Sequence, residues 1–277
     1  MKRKAKPITL IILASLLAVI FIAPLLWMVS ISFKDDVEAI LPNLSFIPSN
    51  PTIDNYVNVL TGGDLNVPIM RWVFNSLFAG IATTVLVVVI DALAAYGLAR
   101  LDIPFKKVIF AAIVGTMMIP SIVWFLPLYA QFSDWQLIDT YWALILPYTS
   151  GAFGVFLLYQ FFAGFPKEIE EAAHLDGANK FQIFWMILLP SAKPALWTLA
   201  ILTFMGVFND FVWPLYATNS DEMRTLTAGI AIMTQGSYVS TPNKMMALST
   251  IATIPVMLVF LIGQKSFVKA VTQAGIK

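Results

Sequence analysis

"ITLIILASLLAVIFIAPLLWMVSISF", residues Ile8 to Phe33, runs for twenty-six residues without a charge. A helix that crosses the hydrocarbon core of a membrane needs about 20 apolar residues. The run therefore predicts a spanning helix and sets the class of the whole fold. Lys2, Arg3, Lys4 and Lys6 precede it, as they would in a secretory signal. Its apolar core is too long for the roughly 7–15 residues of a signal peptide, so it reads as an uncleaved first span.

The rest of the chain agrees. Of 277 residues, 59% are hydrophobic and 12% are charged, against roughly a quarter charged in a soluble domain. Such a chain lacks the polar surface to face water on all sides. It has no cysteine, which excludes disulfides, thiolate metal sites and cysteine catalysis. Its one histidine, His174, makes a histidine-rich metal site a poor expectation. The net charge of +1 points to no nucleic-acid partner.

Five further apolar runs follow, at about 72–99, 108–131, 140–163, 191–213 and 245–264. The expected fold class is all-α: a single polytopic membrane domain over residues 1–277 with six transmembrane helices. Lys and Arg set the orientation through the short loops. With the N-terminus inside, the inner segments hold 13 of these residues and the outer ones 4: Lys34, Arg71, Arg224 and Lys244. Both termini and the loop 164–190 are thus expected in the cytoplasm. Trp72, Trp135, Trp142 and Trp213 near the outer boundary, and Trp185 near the inner one, fit an aromatic belt. The outer loop from Lys34 to Arg71 must be ordered by contacts or mobile. The loop from Pro214 to Asn243 has room for a short helix over Leu226–Met233, ended by Gly236. Prolines at Pro24, Pro120, Pro127, Pro147, Pro194 and Pro255 predict kinks, or a bundle bent around a path.

One loop is out of character. "EIEEAAHLDGANKFQIFWMILLPSAKPAL" (Glu168–Leu196) gathers acidic residues, the histidine and a glycine between two spans. Pro166 suits the first turn of a helix, Glu168, Glu170 and Glu171 suit its positive end, and Gly177 suits a left-handed stop. About ten residues are expected in the helix. At 100° per residue Ile169, Ala172 and Ala173 share a face, opposite Lys167, Glu170, Glu171 and His174. A second short helix is expected over Asn179–Leu188. A helix resting on lipid wants large apolar residues and basic partners; this one has small residues and acids, which favours a protein partner.

These residues carry a resemblance. Glu171-Ala172-Ala173, three residues, Gly177, nine residues, then Ile187-x-Leu189-Pro190 resembles the EAA–G–I-LP signature of the membrane subunits of ATP-binding cassette importers. "AAYGLARLDIPFKK" (Ala94–Lys107), "MMIPSIVWFLPLY" (Met117–Tyr129), "FNDFVWPL" (Phe208–Leu215) and "TQAGIK" (Thr272–Lys277) are similar to the maltose-type sugar permeases, nearest the smaller six-span one. The resemblance implies a type I importer permease without an ATPase of its own. A second, non-identical larger permease would complete the pathway, two cytoplasmic ATPases would use ATP and Mg, and an extracytoplasmic binding protein would deliver the sugar. It implies that Glu171, Ala172, Ala173, Gly177, Ile187, Leu189 and Pro190 form a coupling helix and its junction. It also implies that Gln273, Gly275 and Lys277 in the tail contact the ATPases.

Sugar recognition calls for aromatic faces and hydrogen-bonding side chains. Candidates within the spans are Asn75, Trp124, Tyr129, Gln131, Phe208, Asn209, Asp210 and Trp213, each more readily read as structural. Asp91 is expected near the inner boundary, either snorkelling or locally paired. No cofactor or metal is expected on the chain itself. A secondary transporter would want more buried ionisable groups and a repeat. A zinc protease would want H-E-x-x-H. Glycerol phosphodiesters or polyols remain alternative cargoes on the family resemblance.

Overall fold

The computed structural model describes residues 5–41, 45–63, 67–234 and 241–274, and among these every regular element is helical. In chain order they are α1 (Ala5–Ser32), α2 (Asp36–Ala39), α3 (Asp54–Thr61), α4 (Ile69–Arg100), α5 (Lys106–Thr116) and α6 (Ile122–Asp134). Next come α7 (Tyr141–Ile145), a 3-10 turn (Leu146–Ser150), α8 (Ala152–Ala163), α9 (Lys167–Leu175) and α10 (Lys180–Ile183). A π-helix (Phe184–Leu188) leads to α11 (Leu189–Ser191), α12 (Lys193–Asn209), α13 (Val212–Ala217), α14 (Leu226–Met233) and α15 (Pro242–Ala274).

The six apolar runs fold unequally. Three contain unbroken helices long and apolar enough to cross a membrane, within α1, α4 and α15. The other three are interrupted. The run 108–131 is not one helix but α5 and α6, separated at 117–121, where Pro120 disfavours helix at the residue before it. The run 140–163 passes through the 3-10 turn at Pro147 and restarts at Gly151, which is extended (φ −70°, ψ 127°). The run 191–213 stops at Asp210, also extended (φ −69°, ψ 132°), before α13. Periodicity and hydropathy do not see such breaks, because the flanking residues stay apolar.

The chain forms two compact units. The first takes residues 1–70 and 229–255. The most apolar part of α1 buries none of its residues, so its side chains are free to meet lipid or another chain. Beyond it the loop is held by buried polar side chains. Asn55 Nδ2 donates to the carbonyls of Ser32 (2.9 Å) and Lys34 (2.7 Å). Asn243 Nδ2 lies within 3.0 Å of Lys34 O, Asp36 Oδ1 and Asn55 Oδ1. The buried Lys34 ammonium donates to Ser45 O (2.5 Å) and pairs with Glu38 (3.2 Å). The Asn243 amide holds the Asp36 carboxyl below its ordinary value against the opposing effect of burial, helped by Lys244 and Thr241. The loop after the first span is therefore ordered by contacts, the first of the two alternatives its sequence left open.

The second unit takes residues 71–228 and 256–277. Its main core joins Tyr96 of α4, Leu158 and Phe162 of α8, Phe184 and Leu188 of the π-helix, and Leu199 of α12. Tyr96 and Phe184 meet at 4.9 Å between ring centroids. A second cluster holds Phe132, Ala143, Trp213 and Ala217. Gly154 lets α8 approach closely: a Cβ there would lie 2.8 Å from Leu199 Cδ1 and would strike the Asp91 carboxylate. The expected helix at Leu226–Met233 is present as α14; Gly236 lies outside the described residues.

Candidate functional site

The acidic loop folds as two capped helices. α9 has nine residues, about 14 Å at 1.5 Å each. Pro166 sits just before it, at the N-cap, rather than inside its first turn. Its far end is a Schellman motif: Ala178 N–H donates to Ala173 O (2.9 Å) and Gly177 N–H to His174 O (3.0 Å). Gly177 has φ +86°, a conformation that a side chain would strain. Asn179 then opens α10 with a capping box: its amide N–H donates to Gln182 Oε1 (2.8 Å), and Gln182 N–H returns to Asn179 Oδ1 (2.9 Å). The expected helix over Asn179–Leu188 is present in register, but its second half is wound as the π-helix. At Ala192 the path bends by 75° into α12, with Pro190 and Pro194 each near a helix start.

The orientation of α9 corrects the expected faces. Glu170 and Ala173 are its half-buried residues, one turn apart, and they face the bundle. Ile169 and Ala172 are exposed, as are Glu168, Glu171 and Leu175. Leu175 is 89% exposed. An even-handed helical wheel placed Glu170 with the solvated acids; it could not see that a cation waits on the inner side. Arg100 of α4 supplies that cation. Its Nε lies 3.0 Å from Glu170 Oε1, with side chains 5% and 17% exposed, and its guanidinium also donates to the Phe165 carbonyl. Burial pushes the Glu170 carboxyl up, and the charges of Arg100 and Lys167 offset part of that. One turn back on α4, Tyr96 OH donates to the Lys180 carbonyl (2.9 Å).

Of the junction residues, Ile187 and Leu189 are half-buried and Pro190 is exposed, while Ile183, Phe184 and Leu188 lie in the core. These three core residues were missed; the apolar run gave no sign of the π turn that aims them inward. His174 is exposed, its Nδ1 3.3 Å from Ala178 O within the same turn. Gly275 and Lys277 lie outside the described residues, as does the side chain of Gln273.

The proposed pathway residues scatter. Asn75 is fully buried and fully used: Nδ2 donates to Glu222 O (2.7 Å) and Arg224 O (2.9 Å), and Oδ1 accepts from Tyr141 (2.7 Å). Trp213 is buried, with Nε1 donating to Ala143 O (2.8 Å), and Phe208 is buried too. Tyr129 packs on the Trp213 cluster, as does Tyr148. The Tyr148 hydroxyl donates to Asp210 Oδ2 (2.6 Å), where the span 191–213 breaks. Trp124, Gln131 and Asn209 are exposed. Asp91 neither snorkels nor pairs: it is 2% exposed, and its Oδ2 has no hydrogen-bond partner among the described residues. It borders a cavity of about 220 Å³ with Tyr148, Gly154, Leu199 and Thr203. No group of three or more acidic or histidine side chains suited to a metal ion occurs among the described residues.

Long and broken apolar helices, with a short amphipathic helix clamped to the end of one of them, define a membrane transport subunit. The family model described as "Binding-protein-dependent transport system inner membrane component" matches residues 92–273, which include α9 and its junction. The chain belongs to this family. It is 32% identical to the arabinooligosaccharides transport system permease protein AraQ of Bacillus subtilis, over 98% of this chain and 95% of that one. It is 34% identical to the trehalose/maltose transport system permease protein MalG of Thermococcus litoralis, over 98% and 97%. It is 33% identical to the sn-glycerol-3-phosphate transport system permease protein UgpE of Rhizobium meliloti, over 92% of each. In fold it matches a chain of a bacterial ABC transporter involved in the import of the acidic polysaccharide alginate, with a TM-score of 0.81 at 24% identity, covering 96% and 98%.

Proposed function

We propose that the chain is a permease subunit of an ATP-driven importer for a sugar, most simply an oligosaccharide, and forms half of its translocation pathway. The α9 segment is its coupling helix. The observation that carries this is the Glu171-to-Pro190 spacing, folded as two capped helices that leave Glu171, Ala172 and Leu175 exposed. Glu171 docks an ATPase by charge or hydrogen bonding, Ala172 and Ala173 allow close approach, and Gly177 makes the turn. Ile187, Leu189 and Pro190 join the coupling helix to α12. Gln273, Gly275 and Lys277 touch the ATPases from the tail.

The chain acts as one membrane domain of six spans, three of them crossing as the broken pairs α5–α6, α7–α8 and α12–α13. Both termini face the cytoplasm, as the Lys and Arg bias of the loops supports. A larger second permease, two ATPases and an extracytoplasmic binding protein complete the assembly. ATP and Mg are used by the ATPases, and the chain binds no cofactor of its own. Tyr129 and the Tyr148–Asp210 pair line the pathway; Trp124, Gln131 and Asn209 reach the cargo if they face it. Asn75 and Trp213 serve the path by shaping it. Two of the named relatives carry di- or oligosaccharides and one a glycerol phosphate, so the latter class is the alternative cargo.

Co-purification from membranes tests the reading. It is expected to bring down a larger permease and two ATPase copies, with Glu171→Ala and Gly177→Asp weakening both ATPase retention and uptake. Uptake that persists with the ATPases absent overturns it.

A further inference from the structure

Tyr96 and Arg100 lie one turn apart on α4 and hold both flanks of the α9–α10 segment. Arg100 takes the near flank, through Glu170 and the Phe165 carbonyl. Tyr96 takes the far flank, through the carbonyl of Lys180, the first residue of α10. Otherwise α9 gives the bundle only the half-buried Ala173. The segment is thus joined to α12 through the covalent chain and to α4 through a guanidinium and a phenol. If this junction existed for stability alone, an apolar contact of the same shape would serve as well or better, because a buried ion pair loses in desolvation much of what it gains in attraction. What a guanidinium adds is geometry: a rigid fork that cannot be deprotonated and that bonds two acceptors at once. One of those acceptors lies in α9 and the other in the chain leading into it.

We infer that Arg100 is a positioning residue that makes α9 and the adjoining end of α4 move as one body, so that ATPase closure enters the bundle through α4 as well as through α12. This rests on the reading of α9 as the coupling helix. Without Arg100, α9 still docks on the ATPase but pulls only on α12, and hydrolysis runs without a matching movement of the pathway.

The test uses the full chain assembled with its partner permease, ATPases and binding protein in proteoliposomes. Because the chain has no cysteine, spin-label pairs can be placed cleanly at the exposed Leu93 of α4 and Glu168 of α9. In the otherwise unaltered chain the label distance is expected to stay constant between nucleotide-free and ATP-bound states. In Arg100→Gln it is expected to change, and solute taken up per ATP hydrolysed to fall about tenfold. Arg100→Lys keeps the charge without the fork and is expected to fall between the two. Should Arg100→Gln fail to assemble, the paired exchange Arg100→Glu with Glu170→Arg is read instead, and is expected to recover part of the ratio lost in Arg100→Glu alone. A label distance that already changes in the unaltered chain overturns the inference, as does an uptake ratio that neither Arg100→Gln nor the paired exchange alters. If the unaltered assembly takes up solute without its ATPases, the coupling-helix reading itself falls, which is a separate outcome.

Discussion

The two ends of α4 are held in opposite ways. At the Trp72 end every bond is neutral. Trp72 Nε1 donates to Asp221 O (2.6 Å), Asn75 bridges Glu222 O and Arg224 O, and Ser76 Oγ accepts the Leu226 N–H (2.8 Å). Trp72, Asn75 and Ser76 are all buried. At the Arg100 end the bonds are charged or phenolic, and Glu170 keeps a partial view of solvent. A dry, neutral bonding set has no partner to trade with and fixes its loop as part of the fold. A guanidinium at the water's edge can keep its grip while the segment it holds is moved by another protein. The contrast separates the part of α4 that belongs to the scaffold from the part that handles work.

The comparison breaks most severely at Asn75. Asn75→Leu leaves two carbonyls and the Tyr141 hydroxyl without their partner, and a buried unsatisfied group costs about 1–3 kcal/mol. We expect a loss of at least about 3 kcal/mol, read as a lower unfolding temperature in detergent, whereas Arg100→Gln shifts that temperature less and uptake more. If Arg100→Gln melts the protein as badly as Asn75→Leu, the two ends are not different in kind. Next in size is Gly177→Ala at the Arg100 end. An L-residue in the left-handed region costs roughly 1–2 kcal/mol, so faster hydrogen exchange is expected at the Ala178 amide, with the Leu226 amide unaffected. Trp72→Phe removes one bond to the Asp221 carbonyl and is expected to cost about 1 kcal/mol, seen as a modest shift in the same melting experiment.

The smallest effect sharpens the contrast through pH. Burial pushes the Asp139 carboxyl up, but the N–H groups of Ser220 and Asn219, the Ser220 hydroxyl and the Arg224 charge outweigh it and hold it below its ordinary 3.8. A lowered carboxyl contributes stability above its unfolded value and loses it as pH falls through the folded one. This tether of the loop beside Trp72 should therefore survive until below about pH 3.8. Glu170 is shifted the other way, up from 4.5 by burial. Its protonation removes a buried charge and breaks the ion pair, so the pair is lost at a higher pH than the Asp139 tether while stability does not fall with it. On acidification the Arg100 end should let go first. Infrared bands of the two carboxylates, assigned with Glu170→Gln and Asp139→Asn, check the order; protonation of Asp139 first would contradict it.

Much of this was legible in the chain. The apolar runs mark the spanning segments, and the spacing from Glu171 to Pro190 marks the family and the capped turn at Gly177. The Leu226–Met233 helix stands out against the loop that carries it. What could not be read depends on partners distant in sequence. Asn75 looked like a pathway side chain because its carbonyl partners lie 147 and 149 residues away. Glu170 looked solvated because Arg100 arrives from another helix. The breaks at Pro120, Gly151 and Asp210 escaped because hydropathy averages over backbone shape.

The π-helix at Phe184–Leu188 has a consequence for how the signature can vary. A π turn takes up one residue more than an α turn before returning to the same side of the axis. Deleting any single residue there would let the backbone relax to regular winding with every local helix preference intact. All that follows would then be rotated by about 100°, and α12 would leave its junction aimed the wrong way. The nine residues between Gly177 and Ile187 are thus a phase setting: the interval can exchange its side chains freely, but it cannot change its length.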